Sequence, residues 1–279
     1  MGGELAFVGL GLYGVRGLTL EALEYLRRAD VVYLEVYTSV LPGLDIEALS
    51  RLIGREVKVV DRGFVEGEGA LEMIERAARG MRVVLATPGD PFVATTHIAI
   101  RVEAERRGVK TRAIPAPSVI NAVIAATGLQ IYKFGRAVTI VYPQREFGYV
   151  PSTPYYVLKE NLERGLHTLF FLDVRNRRGM TAPEAAGILI ELEEREGIGI
   201  IGPDTLAVAL ARLGSPTELV AVDVLGRLRD RDLGAPPHTL VVPGLLHPME
   251  VESLEVLAGA DRGLLESWNQ RLRRGLRGT

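Results

Sequence analysis

A proline-rich turn that carries one carboxylate is the most informative feature of the chain. Pro88-Gly89-Asp90-Pro91 follows the apolar segment 81–86 directly. A buried strand that stops at two prolines and a glycine presents its backbone groups and a carboxylate at the carboxyl edge of a sheet, where α/β proteins bind ligands. The same four residues are also typical of an ordinary structural turn, so this segment alone leaves both interpretations open.

A second glycine-rich junction lies near the start of the chain. Residues 9–14 have the spacing Gly-x-Gly-x-x-Gly after the predicted strand 4–8, and Glu35 ends the next predicted strand, as a ribose-binding acid would. In a dinucleotide fold the glycines open the helix, whereas here further residues precede its predicted N-cap, Thr19, so a pyrophosphate would miss the helix N-terminus. A dinucleotide oxidoreductase is therefore the weaker alternative. Because both glycine-containing loops follow predicted strands, we expect them to share one pocket.

Strand-like and helix-like segments alternate through the first part of the chain, which predicts a mainly parallel sheet with helices on both faces. The predicted strands are 4–8, 31–35, 57–60, 82–86 and 110–114, and the predicted helices are 19–28, 44–52, 70–78 and 96–106. Pro115-Ala116-Pro117-Ser118 interrupts the alternation, and Ser118 is a suitable N-cap for a helix over 119–126. We therefore expect an N-terminal α/β domain of residues 1–114 and a C-terminal α+β domain of residues 115–279.

The second part of the chain has a mixed pattern. Thr181-Ala-Pro-Glu184 is a capping box that opens a helix to about residue 194. Gly214-Ser215-Pro216 separates two strand-like segments, as the turn of a hairpin does. Further strands are predicted at 138–142, 168–173, 206–212, 218–222 and 239–242, further helices at 154–164 and 224–229, and a helix end in the basic segment 271–277.

The composition limits the class of protein. A formal net charge of -2 and a pI near 6.2 give no global attraction to nucleic acid or to anionic membranes. The chain has no apolar segment near the roughly 20 residues of a membrane span and no signal-peptide pattern, so we expect a soluble, cytoplasmic protein. Because it has no cysteine, disulfides, thiolate nucleophiles and sulfur-ligated metals are excluded, and its four widely spaced histidines predict no metal site.

Eight short segments between residues 4 and about 260 carry a resemblance to a known family. They are 7–12, 35–39, 87–97, 116–118, 128–135, 165–173, 211–215 and 236–238. The glycine and Pro-Gly-Asp-Pro segments indicate only a superfamily, whereas Val93-Ala-Thr-Thr-His97 and Ile131-Tyr-Lys-Phe-Gly135 are specific to one branch. In these residues the chain resembles the archaeal and eukaryotic diphthine synthases, of the tetrapyrrole methylase superfamily of S-adenosylmethionine-dependent methyltransferases.

The resemblance implies a two-domain, tetrapyrrole-methylase-like α/β fold, a homodimer, and a cofactor bound in the cleft between the domains. It implies an enzyme of diphthamide biosynthesis that uses S-adenosylmethionine and releases S-adenosylhomocysteine. The acceptor would be the amino group of a 3-amino-3-carboxypropyl-histidine on translation elongation factor 2. By motif position, the implied cofactor contacts are Leu10, Asp90, Val93, Ser118, Val119, Leu172, Leu213 and His238.

The residues leave parts of this chemistry open. Four side chains are candidates to deprotonate the acceptor amine, and the sequence does not choose among Tyr37, Thr95, His97 and Asp173. A small-molecule methyltransferase that acts on a tetrapyrrole or precorrin also remains an alternative. Valine at Gly9 or Gly89 is expected to weaken cofactor binding and to leave the fold unchanged, because both backbones would approach the ligand.

Overall fold

The computed structural model describes residues 2–175 and 177–277, and the chain divides into two compact units, Met1–Val119 and Ile120–Thr279. The first unit is built on a five-stranded parallel sheet with the strand order β3-β2-β4-β1-β5. Its strands are β1 (Glu4–Gly9), β2 (Val31–Glu35), β3 (Val57–Val60), β4 (Arg82–Thr87) and β5 (Lys110–Ile114). Its helices are α1 (Leu20–Arg28), α2 (Ile46–Ile53), α3 (Arg62–Val65), α4 (Glu68–Ala78) and α5 (His97–Arg106), and α6 (Val119–Thr127) begins at its last residue.

Each face of this sheet is covered by apolar side chains. Successive residues of β1 alternate between two core clusters: Ala6 and Val8 belong to one, and Leu5 and Phe7 belong to the other. This is the alternation that a strand buried on both faces produces. The predicted parallel sheet is confirmed.

The short helix α3 was not predicted; it begins where the Asp61 carboxylate accepts a hydrogen bond from the Phe64 amide at 2.9 Å.

The second unit is built on a mixed sheet with the strand order β11-β10-β12-β7-β6, in which β6 and β7 are parallel and the other pairs are antiparallel. Its strands are β6 (Val138–Ile140), β7 (Thr168–Leu172), β10 (Leu206–Ala211), β11 (Leu219–Val224) and β12 (His238–Val242), and β8 (Val174–Arg175) and β9 (Arg178–Gly179) form a separate hairpin. Its helices are α7 (Thr153–Glu163), α8 (Ala182–Glu196), α9 (Leu225–Arg229), α10 (Pro248–Ala258) and α11 (Arg262–Arg277). Within the part of the chain that the structure describes, no helix is both long and apolar enough to cross a membrane.

Two predicted strands are shorter than expected, and one residue explains both ends. β6 ends at Ile140 and β7 ends at Leu172. The Asp173 amide donates to the Ile140 carbonyl at 3.1 Å, and the Asp173 carboxylate accepts the Tyr142 amide at 3.2 Å. The pairing of β6 with β7 therefore ends at Asp173, where a side-chain carboxylate takes the place of the next backbone acceptor. The Thr181 capping box is confirmed, and α8 continues two residues beyond the predicted end.

Candidate functional site

The loops that follow β1 and β4 contact each other at the carboxyl edge of the first sheet. Gly11 and Gly89 exchange two backbone hydrogen bonds, at 3.2 Å from the Gly11 amide and at 2.8 Å from the Gly89 amide. The Leu10 amide also donates to the Thr87 carbonyl at 2.9 Å. Neighbouring parallel strands end at one edge of a sheet. The two glycine-rich junctions therefore meet, as their positions after strands predicted.

The Asp90 carboxylate links a third loop, the one that follows β5, to the loops that follow β1 and β4. Its Oδ1 accepts the Phe92 amide at 2.9 Å, and its Oδ2 accepts the Ala116 amide at 3.2 Å. A carboxylate has about four acceptor positions, so these two bonds leave room for a ligand hydroxyl or cation. The structural turn and the ligand loop, which the sequence presents as alternatives, are compatible here.

Gly9 lies where the three loops meet, and Gly89 borders open space. A Cβ at Gly9 would lie 2.6 Å from the Gly89 carbonyl oxygen and 2.6 Å from the Ala116 Cβ. Gly89 has φ +72°, and nothing lies within 4 Å of a Cβ built on it. The expectation that valine at Gly9 leaves the fold unchanged is therefore wrong, because the side chain would push the loops apart. At Gly89 the backbone itself forms an accessible surface.

Five of the predicted contact residues lie on these three loops. Leu10 is 1% exposed and packs in the core, so it offers a ligand only main-chain atoms. Val93 is half-buried in the β4–α5 loop, Ser118 is buried, and Val119 is the half-buried first residue of α6. Together with Asp90, the fold places these residues along one edge formed by β4, β1 and β5.

Two of the candidate bases hold the Pro88–Pro91 turn in place. His97 is completely buried, and its Nδ1 lies 2.9 Å from the Pro91 carbonyl oxygen, to which it donates. Thr95 Oγ1 donates to the same carbonyl at 2.7 Å. Burial lowers the pKa of His97, so the ring is neutral near pH 7. The Val-Ala-Thr-Thr-His segment thus holds the Pro88–Pro91 turn in place through two hydrogen bonds.

Tyr37 and Glu35 are also engaged within the first unit. Burial raises the pKa of Tyr37, so its hydroxyl keeps its proton, and this group lies 3.5 Å from Nε2 of His97. The fully buried Glu35 carboxylate accepts the amides of Tyr37 and Thr38 at 3.0 and 3.1 Å and also the Thr38 hydroxyl. Burial raises the pKa of Glu35. Its bonds to the loop 36–38 argue against the ribose-binding role of a dinucleotide enzyme.

The remaining predicted contacts share one edge of the second sheet. Leu172 ends β7, Leu213 lies in the turn after β10, and His238 begins β12. His238 pairs with Ala211, and the β12–β7 register, continued by two residues, places His238 opposite Leu172. The fold therefore brings these three positions together within the second unit.

The His238 ring bridges two backbone segments. Its Nδ1 accepts the amide of Ala182, the first residue of α8, at 3.1 Å, and its Nε2 donates to the Ala235 carbonyl at 3.1 Å. Burial lowers the pKa of His238, which keeps the ring neutral. A ligand at this position can therefore use only the main chain or the ring face of His238. Asp173, the fourth candidate base, accepts the Tyr142 amide.

The Ile131-Tyr-Lys-Phe-Gly135 segment has a structural partner that the sequence did not reveal. Lys133 donates to the Glu250 carboxylate and to the Leu245 carbonyl. Glu250 is 0% exposed and also accepts the Gln130 amide at 2.8 Å and His167 Nε2 at 3.0 Å. Burial alone raises the pKa of Glu250, but these hydrogen bonds outweigh it and lower the pKa to about 2. The segment anchors the start of α10.

Among residues 2–175 and 177–277, no group of three or more histidine or acidic side chains is arranged to hold a metal ion.

Comparison with known proteins gives consistent matches. The family model described as Tetrapyrrole (Corrin/Porphyrin) Methylases matches residues 4–229. A diphthine synthase of Methanocaldococcus jannaschii is 43% identical over 91% of this chain and 98% of that protein. A diphthine synthase of Methanococcoides burtonii is 42% identical over 94% of this chain and 99% of that protein.

A solved structure supports the same assignment. The crystal structure of a diphthine synthase superposes with a TM-score of 0.84 at 40% identity and covers 94% of this chain and 98% of that one. The likeness extends over nearly the full length of both proteins and includes the sequence and the fold. The chain therefore belongs to the tetrapyrrole methylase family and, within it, to the diphthine synthases.

Proposed function

We propose that the chain is an S-adenosylmethionine-dependent methyltransferase that methylates the amino group of a 3-amino-3-carboxypropyl-histidine on translation elongation factor 2, in diphthamide biosynthesis. The observation that carries the proposal is the full-length similarity to diphthine synthases at about 40% identity. A tetrapyrrole or precorrin methyltransferase would share the family model but not this similarity. The homodimer that the family resemblance implies stays a prediction, and light scattering can test it.

The three-loop edge of the first unit is the proposed cofactor site. Gly89 offers an open backbone surface, and Asp90 and Val93 follow it in the same loop. We propose that Leu10, Asp90, Val93, Ser118 and Val119 contact S-adenosylmethionine here. Leu172, Leu213 and His238 are proposed as contacts of the second unit, each through main-chain or apolar atoms.

The cofactor, when bound, supplies a methyl group that is already activated on a cationic sulfonium. The protein therefore has no nucleophile to build and acts by positioning, which can contribute about 7 to 11 kcal/mol to lowering a barrier. The acceptor amine must lose a proton first. The side chains of Tyr37, Thr95 and His97 are committed to holding loops, and the Asp173 carboxylate accepts the Tyr142 amide. We therefore propose that partial desolvation of the amine favours its neutral form and that water takes the proton.

Mass spectrometry tests the reaction. Incubation with S-adenosylmethionine is expected to increase the mass of elongation factor 2 that carries the intermediate, and the same spectrum counts the methyl groups added. Calorimetry tests the cofactor: S-adenosylhomocysteine should bind and NADH should not. A folded protein that binds NADH and leaves the factor unmethylated would contradict the proposal.

Gly89→Ala is expected to weaken S-adenosylhomocysteine binding about tenfold, because a methyl group would occupy the surface that the ligand approaches. The left-handed backbone would also cost about 1 kcal/mol of stability. Gly54→Ala is the matched control: Gly54 has φ +69°, also has open space at its Cβ position, and ends α2. Calorimetry should show a loss of affinity only at Gly89. Equal affinity of both variants would contradict ligand approach at this loop.

Asp90→Ala is expected to reduce affinity for S-adenosylhomocysteine by about 10- to 100-fold, through a lost charged hydrogen bond and a loosened junction. Asp61→Ala serves as its control, since Asp61 also accepts a backbone amide but lies at the start of α3. Both variants should lower the melting temperature. If both bind the ligand like the wild-type protein, Asp90 is only a turn residue.

A further inference from the structure

The short helix α3 presents an arginine and a glutamate at the carboxyl edge of the first sheet. It directly follows β3, and the Glu66 amide donates to the Arg62 carbonyl at 2.8 Å, so the two residues lie one helical turn apart. Both residues are exposed. Among residues 2–175 and 177–277, neither side chain forms an ion pair with the other or with a third residue. One cation and one carboxylate are therefore accessible to a ligand.

An aromatic ring gives the Arg62 guanidinium a defined position. Its Cζ lies 5.2 Å from the centre of the Tyr37 ring, in the loop that follows β2. Burial first, and then the charges of Glu35 and Glu66, raise the pKa of Tyr37, and the charge of Arg62 opposes them. A guanidinium that stacks on a ring keeps its N–H edge free, and this is the edge that binds carboxylates. The stacking thus orients Arg62 without using its donors.

Hydrogen bonds connect the two charged residues with the loop that follows β4. Glu66 Oε1 accepts the hydroxyl of Thr96, in that loop, at 3.1 Å. The hydroxyl of Tyr37, on which Arg62 stacks, lies 3.5 Å from Nε2 of His97, and His97 donates to the Pro91 carbonyl at 2.9 Å. Arg62 and Glu66 are therefore held against the loop that carries the proposed cofactor contacts.

The strand order places Arg62 and Glu66 on the side of β4 that the proposed cofactor contacts do not use. β2 and β3 lie on one side of β4, and β1 and β5 lie on the other. The proposed cofactor contacts of this unit follow β4, β1 and β5, whereas Tyr37 follows β2 and α3 follows β3. A second ligand that meets the cofactor at the β4 loop can therefore contact Arg62 and Glu66.

We propose that Arg62 and Glu66 bind the amino-acid end group of the methyl acceptor, with the Arg62 guanidinium on its carboxylate and the Glu66 carboxylate on its amine. The proposal rests on the proposed function, which supplies a 3-amino-3-carboxypropyl group with an amine and a carboxylate on one carbon. Arginine binds a carboxylate in a planar, two-bond geometry.

The amine arrives as an ammonium that donates to Glu66. After one proton leaves to water, the neutral amine keeps this hydrogen bond through a second N–H, and its lone pair is available to the methyl donor. Because Glu66 is exposed, water and salt screen its charge, which therefore opposes the loss of the proton only weakly.

Arg62→Gln tests the carboxylate contact, with Lys58→Gln as the matched control. Lys58 is also an exposed cation over a tyrosine, with its Nζ 6.0 Å from the centre of the Tyr33 ring, but it lies within β3. Arg62→Gln should raise the KM for modified elongation factor 2 about 10- to 100-fold, and Arg62→Lys should recover part of the loss. The Kd for S-adenosylhomocysteine should match that of the wild-type protein.

Glu66→Gln tests the amine contact. It keeps an oxygen for the Thr96 hydroxyl but removes the charge, so the same KM should rise about tenfold. The control is Glu56→Gln, an exposed position directly before β3 and thus at the opposite edge of the sheet. Wild-type KM values for folded Arg62→Gln and Glu66→Gln proteins would overturn the proposal. A rise only in the Kd for S-adenosylhomocysteine would also overturn it, because the two residues would then bind the methionine end of the cofactor.

Direct binding separates this inference from the proposed function. In the presence of S-adenosylhomocysteine, the wild-type protein should bind modified elongation factor 2 more tightly than the unmodified factor, and Arg62→Gln should weaken only the first Kd. A wild-type protein that neither prefers nor methylates the modified factor would contradict the proposed function. If the wild-type protein does both and the two variants match it, only the amino-acid site is wrong.

Discussion

Labelled methyl groups from S-adenosylmethionine are expected to reach elongation factor 2 only when it already carries the 3-amino-3-carboxypropyl group. The unmodified histidine has no primary amine, and its imidazole is too short to bring a nitrogen to a sulfonium held at the loop edge. Without correct positioning, the roughly 7 to 11 kcal/mol available from orientation is lost. Scintillation counting should therefore show label on the purified factor that carries the group and only background counts on the factor that lacks it.

Small molecules test the same prediction from the other side. Uroporphyrinogen and precorrins are the acceptors that the wider family name suggests. Neither should become labelled under conditions in which the modified factor is saturated with methyl groups. Labelling of the unmodified factor to the same level, or labelling of a tetrapyrrole in its place, would overturn the assignment of the acceptor.

Glu250→Ala is expected to destabilise the second unit by about 3 to 5 kcal/mol, because it removes a buried carboxylate and leaves Lys133 and His167 without their partner. Urea unfolding can be followed by the fluorescence of the single tryptophan, Trp268, which is 3% exposed in this unit. The control is Glu252→Ala, an exposed position on the same helix. It should change stability by less than about 0.5 kcal/mol.

The same carboxylate predicts a dependence on acid. The folded-state pKa of Glu250 is about 2, below the ordinary value of 4.5, so its stabilising contribution is complete above pH 4.5. This contribution is lost as the pH falls from 4.5 to 2, and it amounts to about 3 kcal/mol. The Glu250→Ala protein should lack this part of the acid dependence. Parallel stability profiles of the two proteins would show that the network contributes nothing.

Local signals made most of the fold predictable. Short strand-like segments that alternate with helix-like segments identified the five parallel strands, and the Thr181 capping box identified α8. These features depend on residues that are close in the sequence. The hairpin of β8 and β9 was missed because Arg-Asn-Arg-Arg has the composition of a loop, and its strands are two residues long.

The site was predictable in its position but not in its contacts. Strand ends followed by glycine or by Pro-Gly-Asp-Pro located the loop edge, because parallel strands end together. The bond from Ala116 to Asp90 and the network from Lys133 to Glu250 join residues 26 and 117 positions apart. No local spacing encodes such pairs. His97 illustrates the consequence, since its residue type suggested a base and its burial makes it a support.

The position of β12 in its sheet affects how the second unit folds during synthesis on the ribosome. This strand lies between β10 and β7, yet it is the last of the five strands to be made. Until it emerges, the pair β6–β7 and the hairpin β10–β11 each present an open edge that can join another chain. The first sheet needs only the chain up to Ile114, whereas the second needs Val242. The ribosome adds 70 residues between Leu172 and Val242. At about 5 to 20 residues per second, the edge of β7 therefore stays open for roughly 4 to 14 s, which makes the nascent chain a candidate for chaperone capture.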